Sequence, residues 1–188
     1  MARKIMAPLT IETVRSLKAG DSVLLSGVVY TARDAAHLRM QTAIQKGEKL
    51  PFDLKGQVIY YAGPTPTPKG RQSGSIGPTT ATRMDSTTPL LLQSGLMGMI
   101  GKGARGENVK KAMQECPSVY FAALGGGAAL MAKCVKSVEV IAYEDLGTES
   151  VKRLILSDLP LIVAQDCYGN DYYQQGQKEY INMHKKCR

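Results

Sequence analysis

The sequence has no tryptophan, two phenylalanines and two histidines in 188 residues. Its nine tyrosines do not alternate with Lys or Arg as a single-strand stacking platform requires, so the net charge of +8 does not point to nucleic acid. Long apolar runs are also missing. The charge-free stretches Ser86–Gly101 and Ser118–Ala132 fall short of the ~20 residues of a spanning helix, and both contain glycine. No membrane span is expected. Cysteine is sparse: Cys116, Cys134, Cys167 and Cys187 stand 18, 33 and 20 residues apart. That spacing excludes a zinc knuckle and a CxxC redox pair. The opening MARKIMAPLT has no apolar signal core. Free thiols in a reducing cytoplasm are the expectation.

What is present is an ordinary globular composition, 44% hydrophobic and 21% charged, and a length that fits one domain over residues 1–188. The surplus of 24 basic over 16 acidic residues suits a small anionic partner or an acidic subunit. The basic residues are scattered, with short clusters at Arg3-Lys4, Lys110-Lys111 and His184–Arg188.

Periodicity predicts a helix capped by Thr10, a strand over Ser22–Tyr30, and a helix over Arg33–Lys46 stopped by Gly47. A strand over Gln57–Ala62 leads into a proline- and glycine-rich loop, Gly63–Thr80. A loop of that length in a folded domain is usually functional or disordered. Thr88-Pro89 reads as N-cap and N1 of a helix ending near Gly95. Strands at Leu96–Ile100, Val119–Leu124, Val138–Ala142 and Leu159–Ala164 alternate with helices at Glu107–Glu115, Ala128–Val135 and Asp171–Lys186. The alternation predicts an α/β fold with some parallel pairing.

Polar candidates gather at element ends beside glycine, where α/β proteins place binding sites. In Ala32–His37 (ARDAAH), Arg33 stands near a helix start and offers a two-pronged carboxylate contact. Asp34 and His37, three apart, share a face, and a pair between them would orient the imidazole. In Ser75–Asp85 (SIGPTTATRMD), Arg83 follows Thr79 by four, which makes either an anion cradle or an ordinary loop with a capping Thr. Gly101-Lys102-Gly103 is not a P-loop, because positions 96 and 103 hold Leu and Gly; a lysine on a flexible turn remains. Gly125-Gly126-Gly127 is not a dinucleotide fingerprint, because position 130 is Leu. No acid pair, Ser-His-Asp order or metal-ligand spacing is found. Three cations (Arg33, Arg83, Lys102) near hydroxyls suit a small dianion. The chain reads as a half-site completed by another polypeptide, or as a stand-alone anion-binding module.

ARDAAH (32–37), YYAGP (60–64), SIGPTTATRMD (75–85), GKG (101–103), GGGAAL (125–130) and AYEDLG (142–147) together resemble the beta subunit of iron–sulfur hydro-lyases. These are the two-subunit class I fumarate hydratases and the related L-tartrate dehydratases. The resemblance runs over roughly residues 8–175. It implies a swivelling β/β/α domain and an alpha subunit partner, in an alpha2beta2 assembly. That partner would carry the [4Fe-4S] cluster, leaving no metal ligand on this chain. The implied reaction is reversible hydration of fumarate to (S)-malate, with tartrate dehydration as the alternative. Carried over by motif, Arg33, Arg83 and Lys102 would bind the C4 dicarboxylate and Thr79 would be the catalytic hydroxyl. Asp34 and His37 would orient groups or relay a proton, and Gly77 and Thr80 would shape the loop. The Thr65–Lys69 stretch and the tail after Asp171 carry no motif of the resemblance.

Overall fold

A computed structural model describes residues 2–185. Lys186, Cys187 and Arg188 lie outside the described residues, so the last predicted cysteine and the end of the basic tail are not placed. Seven strands form one sheet: β1 (Arg3–Ala7), β2 (Ser22–Thr31), β3 (Val58–Tyr60), β4 (Gly98–Gly101), β5 (Val119–Ala122), β6 (Val135–Ala142) and β7 (Val151–Gln165). β2 pairs in parallel with β3, β3 with β4, and β4 with β5. β5 pairs antiparallel with β7, and β7 returns antiparallel along β2 from Ser22↔Ile162 to Thr31↔Lys152. The circle β2-β3-β4-β5-β7 closes the sheet into a barrel. β1 extends it beside β2, and β6 beside β7.

Alternation along the strands splits the apolar residues between two cores. Val58, Tyr60, Ile100, Val119 and Phe121 join one cluster with Val29 and Leu154. Their neighbours Ile59, Tyr61, Met99 and Tyr120 face a second, built with helices. Those helices are α2 (Asp34–Lys46), α3 (Thr88–Gln93) and α4 (Glu107–Glu115), which bury Ala36 and Met40, Leu91 and Leu92, and Val109 and Met113. α1 (Ile11–Ser16) and α5 (Ala128–Lys133) pack Val14 and Met131 on the first cluster. α6 (Tyr172–Lys185) follows β7. Among the described residues, no helix is long and apolar enough to cross a membrane.

The α/β alternation is as expected, with four differences. β1 escapes the pattern because Arg3, Lys4 and Met6 are exposed and only Ile5 and Ala7 are buried. The predicted strand Leu159–Ala164 is the end of a 15-residue β7, whose middle holds Asp158 at φ +51° and Pro160, both poor strand residues. The predicted helix over Ala128–Val135 ends at Lys133, and Val135 opens β6. Thr87, not Thr88, is the N-cap of α3, so Thr88 is N1 and Pro89 sits one position later than expected. The Thr10 cap holds: its hydroxyl accepts the Thr13 N–H at 3.2 Å.

Candidate functional site

The four parallel strands β2 to β5 run the same way, so the loops after them collect on one rim of the barrel. Arg33 lies two residues past β2, Gly63 three past β3, Lys102 one past β4 and Gly125 three past β5. The long loop 63–80 returns to this rim. Thr79 N–H donates to the Tyr61 carbonyl at 2.6 Å, and Lys102 N–H donates to the Thr79 carbonyl at 3.2 Å. Thr80 and Lys102 form a parallel bridge. Thr79 therefore sits between the extended ends of β3 and β4, buried to 9% exposure, while Thr80 is exposed. Gly77 packs toward α5: a Cβ there would stand 3.1 Å from the Ala128 Cβ. Among the described residues, neither the Thr79 hydroxyl nor the Lys102 ammonium has a protein partner.

Arg33 and Arg83 meet through Asp34. Arg33 Nε lies 3.1 Å from Asp34 Oδ2, and Arg83 Nε 2.8 Å from Asp34 Oδ1. Arg33 Nη2 also pairs with Glu149 Oε1 at 3.2 Å. Glu149 Oε2 accepts the Ala35 N–H at 3.0 Å, supplying a cap that Arg33, the N-cap residue of α2, does not give with its own side chain. The 3-10 turn Ala81–Met84 carries Arg83 and begins at Thr80, so one short segment joins the arginine pair to Thr79 and Lys102. Gly63 belongs to the same place. A Cβ on it would come within 2.8 Å of the Thr148 carbonyl and 3.6 Å of Arg33 Nη1, so only glycine fits this crossing.

The expected Asp34–His37 pair does not form. Asp34 is taken by the two arginines, and His37 is buried at 1% exposure with Nδ1 3.0 Å from Thr87 Oγ1. The Thr87 hydroxyl donates to the Met84 carbonyl, also at 3.0 Å, so it accepts from His37 and the proton is assigned to Nδ1. Nε2 is buried with no partner among the described residues. Burial, reinforced by the Arg105 charge and opposed by Asp34, pushes the imidazole down to about 3. His37 is a neutral buried group and not the partner of Asp34 that the spacing suggests.

Sequence reasoning missed Arg105, which lies beneath the site. Its Nε meets Asp85 Oδ1 at 2.7 Å, Nη1 donates to the Tyr61 hydroxyl at 3.1 Å and Nη2 to Thr88 Oγ1 at 2.8 Å. The guanidinium also lies 5.2 Å from the ring centres of Tyr61 and Tyr120. Glu149 was missed too. It lies 116 residues after Arg33 and two past the AYEDLG motif, so no spacing signal links the two.

Among the described residues, the three cysteines do not fit an iron–sulfur cluster. Cys116 packs on the helix-side core, while Cys134 and Cys167 pack at separate points of the other. Burial pushes the thiols of Cys134 and Cys167 up, away from the thiolate form that binds iron. Among the described residues, no group of three or more His, Cys, Asp or Glu side chains could hold a metal. What the rim offers is anion recognition: two guanidiniums, an ammonium and a hydroxyl.

A family model described as the fumarase C-terminus matches residues 3–176. The chain is 41% identical over 153 residues to "Fumarate hydratase class I, aerobic" of Escherichia coli (strain K12), covering 80% of this chain and 28% of that protein. It is 40% identical over 153 residues to "Fumarate hydratase 1, mitochondrial" of Leishmania major, with the same coverage of 80% and 28%. It is also 40% identical over 178 residues to "Putative L(+)-tartrate dehydratase subunit beta" of Methanocaldococcus jannaschii, covering 91% of both chains. The chain thus spans little more than a quarter of the fumarate hydratases and nearly all of the subunit.

Proposed function

The chain belongs to the fumarase C-terminus family, and from that premise we propose that it is the beta-type half of a two-chain hydro-lyase that hydrates fumarate to (S)-malate. The observation that carries this reading is the Arg33–Asp34–Arg83 bridge joined by one 3-10 turn to Thr79 and Lys102. A C4 dicarboxylate presents two carboxylates. Arg83 spends only Nε on Asp34, which leaves its Nη groups for one of them. Lys102 is a mobile point charge for the other. Asp34 and Glu149 hold Arg33 in place before substrate arrives, which lowers the ordering cost of binding.

Hydration adds a proton to one alkene carbon and hydroxide to the other. The Thr79 hydroxyl would supply the carbon-bound proton, and in the reverse direction receive it. A threonine proton is hard to remove, so neighbouring positive charge must stabilise the alkoxide, and Arg83 and Lys102 supply it. The partner alpha subunit would bring a carboxylate base and the [4Fe-4S] cluster, which supplies Lewis-acid chemistry at the substrate hydroxyl. His37 takes a structural role here: it holds Thr87 against the end of the Arg83 turn. The closed barrel with flanking helices supports the swivelling β/β/α architecture that the resemblance implies. A swivel would present this rim to the partner. Cytoplasmic location and an alpha2beta2 assembly belong to the same reading.

A second reading, the beta subunit of an L-tartrate dehydratase, is favoured by the near full-length match to the chain of that printed name. Tartrate differs by a hydroxyl, and a pocket built to bond it discriminates strongly. Anaerobic co-expression with the alpha subunit, followed by assays on fumarate, malate and tartrate, tests both. Turnover of malate by the isolated chain at an enzyme-like rate would overturn the half-site.

A further inference from the structure

Lys102 is flanked by two glycines, Gly101 and Gly103, and Gly103 turns with φ +79°. Such a segment is loose unless something outside it holds the backbone. Both polar atoms of Gly103 are held by phenols from distant parts of the chain. Tyr120 of β5 donates to its carbonyl at 2.8 Å, and its N–H donates to the Tyr173 hydroxyl at 3.2 Å. Tyr173 stands in the first turn of α6, and that turn is itself tied down. Asp171 Oδ1 accepts the N–H groups of Tyr173 and Gln174 at 3.0 and 3.3 Å. Its Oδ2 takes Lys110 Nζ at 2.9 Å and Gln165 Nε2 at 2.8 Å. A cavity of about 500 Å³ lies between α6 and the barrel, with Lys102, Tyr173 and Gln177 as its polar lining and Ala123, Leu124 and Ile162 among its apolar walls.

We propose that Tyr173 is a positioning residue for the C4-diacid site: α6, rooted at Asp171, clamps Gly103 and so aims Lys102 at the substrate carboxylate. The proposal rests on the reading of Lys102 as a carboxylate contact. A lysine already loses rotamer freedom when it grips an anion, so added backbone freedom at its base would weaken that grip further. Tyr120 holds the carbonyl side, while on the amide side the Lys102–Gly103 peptide would keep only its own carbonyl's bond from the Ala81 N–H at 2.9 Å. Tyr173 holds the opposite edge of that peptide, at the Gly103 N–H, before substrate arrives. This gives the α6 segment a role that no motif in the tail suggested.

The test is Tyr173→Phe, which keeps the ring and removes the oxygen that accepts the Gly103 N–H. Two measurements are made: amide hydrogen exchange of Gly103 in the full chain, and steady-state kinetics in the complex with the alpha subunit. Loss of one neutral hydrogen bond predicts Gly103 exchange and KM each rising about fivefold, with kcat within twofold. Unchanged Gly103 exchange overturns the clamp. Faster exchange with unchanged KM overturns its link to substrate. Lys102→Met is measured beside it. If Lys102→Met leaves KM unchanged, the carboxylate reading of Lys102 fails, and the positioning role fails with it. If Lys102→Met raises KM and Tyr173→Phe does not, only the positioning role fails. If the wild-type complex turns over none of the three diacids, the substrate reading falls, and the proposal of a diacid-positioning Tyr173 falls with it even where Gly103 exchange responds.

Discussion

Replacing Arg83 with methionine separates recognition from folding. The Arg83 side chain is 51% exposed and makes one ion pair, at 2.8 Å to Asp34. Removing it leaves Asp34 paired with Arg33 at 3.1 Å, so no carboxylate is stranded. An ion pair this exposed contributes at most about 1 kcal/mol. For a chain of 188 residues that is a fall in Tm of no more than ~4 °C. Activity should respond on another scale. In the proposed complex, the Arg83 guanidinium facing a substrate carboxylate would be shielded from water. Truncating one side of such a pair costs about 2–5 kcal/mol, or roughly 30- to 5,000-fold in kcat/KM. Thermal unfolding by circular dichroism and kcat/KM on fumarate, malate and tartrate give the two numbers. A kcat/KM within threefold of wild type would refute the carboxylate role, and a Tm loss well beyond ~4 °C would show Arg83 to be a folding residue. Arg33→Met is the contrast. Arg33 is 23% exposed and touches both Asp34 and Glu149, so its loss should cost stability as well, about 1–3 kcal/mol.

Thr79→Ala should lower kcat at least ~100-fold in the complex with KM within a few-fold, and Thr79→Ser should restore most of it; equal kcat for alanine and wild type would remove Thr79 from the chemistry. Arg105→Met should destabilise the chain by about 3–5 kcal/mol in urea, since it leaves Asp85 without its counter-charge and takes one bond from each of two hydroxyls, and adding Asp85→Asn should recover part of the loss. A cost below ~1 kcal/mol would show the network to be peripheral. His37 gives a pH signature. Its folded value of about 3 lies below the ordinary imidazole value, so its stabilisation is complete above that ordinary value and is lost as pH falls toward the folded one. Between pH 7.5 and 5 the loss should be about 2 kcal/mol in wild type, and should be absent in His37→Asn, which can still donate to Thr87. Identical pH slopes in the two proteins would mean that His37 is protonated in place.

Parallel pairing, though not its order, was legible because each of β2, β4 and β5 is an apolar run followed within a few residues by helical spacing. The same runs placed Arg33, Lys102 and Gly125 at strand ends, where the barrel gathers them. What was not legible depends on contacts across long sequence separations. Glu149 reaches Arg33 from a stretch with no periodic signal. Tyr173 reaches Gly103 across 70 residues. β7 is interrupted by Asp158 and Pro160, so only its Leu159–Ala164 end was legible, and the rest reads as a strand once β2 runs beside it. The buried His37 escaped because the three-residue spacing drew it toward Asp34, while the helix turns it inward beside Ala36 and Met40.

The failed pairing of Asp34 with His37 explains how the site is held. The three-residue spacing does put both side chains on one face of α2, as helix geometry requires. That face looks onto the turn Ala81–Met84 and the residues after it. Asp34 takes the Arg83 side chain, and His37 takes Thr87, which in turn bonds the Met84 carbonyl. One helix thus grips a 3-10 turn at two points, one ionic and half-exposed, the other neutral and buried. The two grips differ in kind for a physical reason. Burial disfavours an ionised histidine there, and buried Arg105 would repel it, so the inner contact has to be neutral. The outer contact can be charged because water and the second arginine share the load. A bracket of this sort fixes the backbone of Arg83 while leaving its guanidinium accessible, which is what a residue that must meet a carboxylate from a second molecule requires.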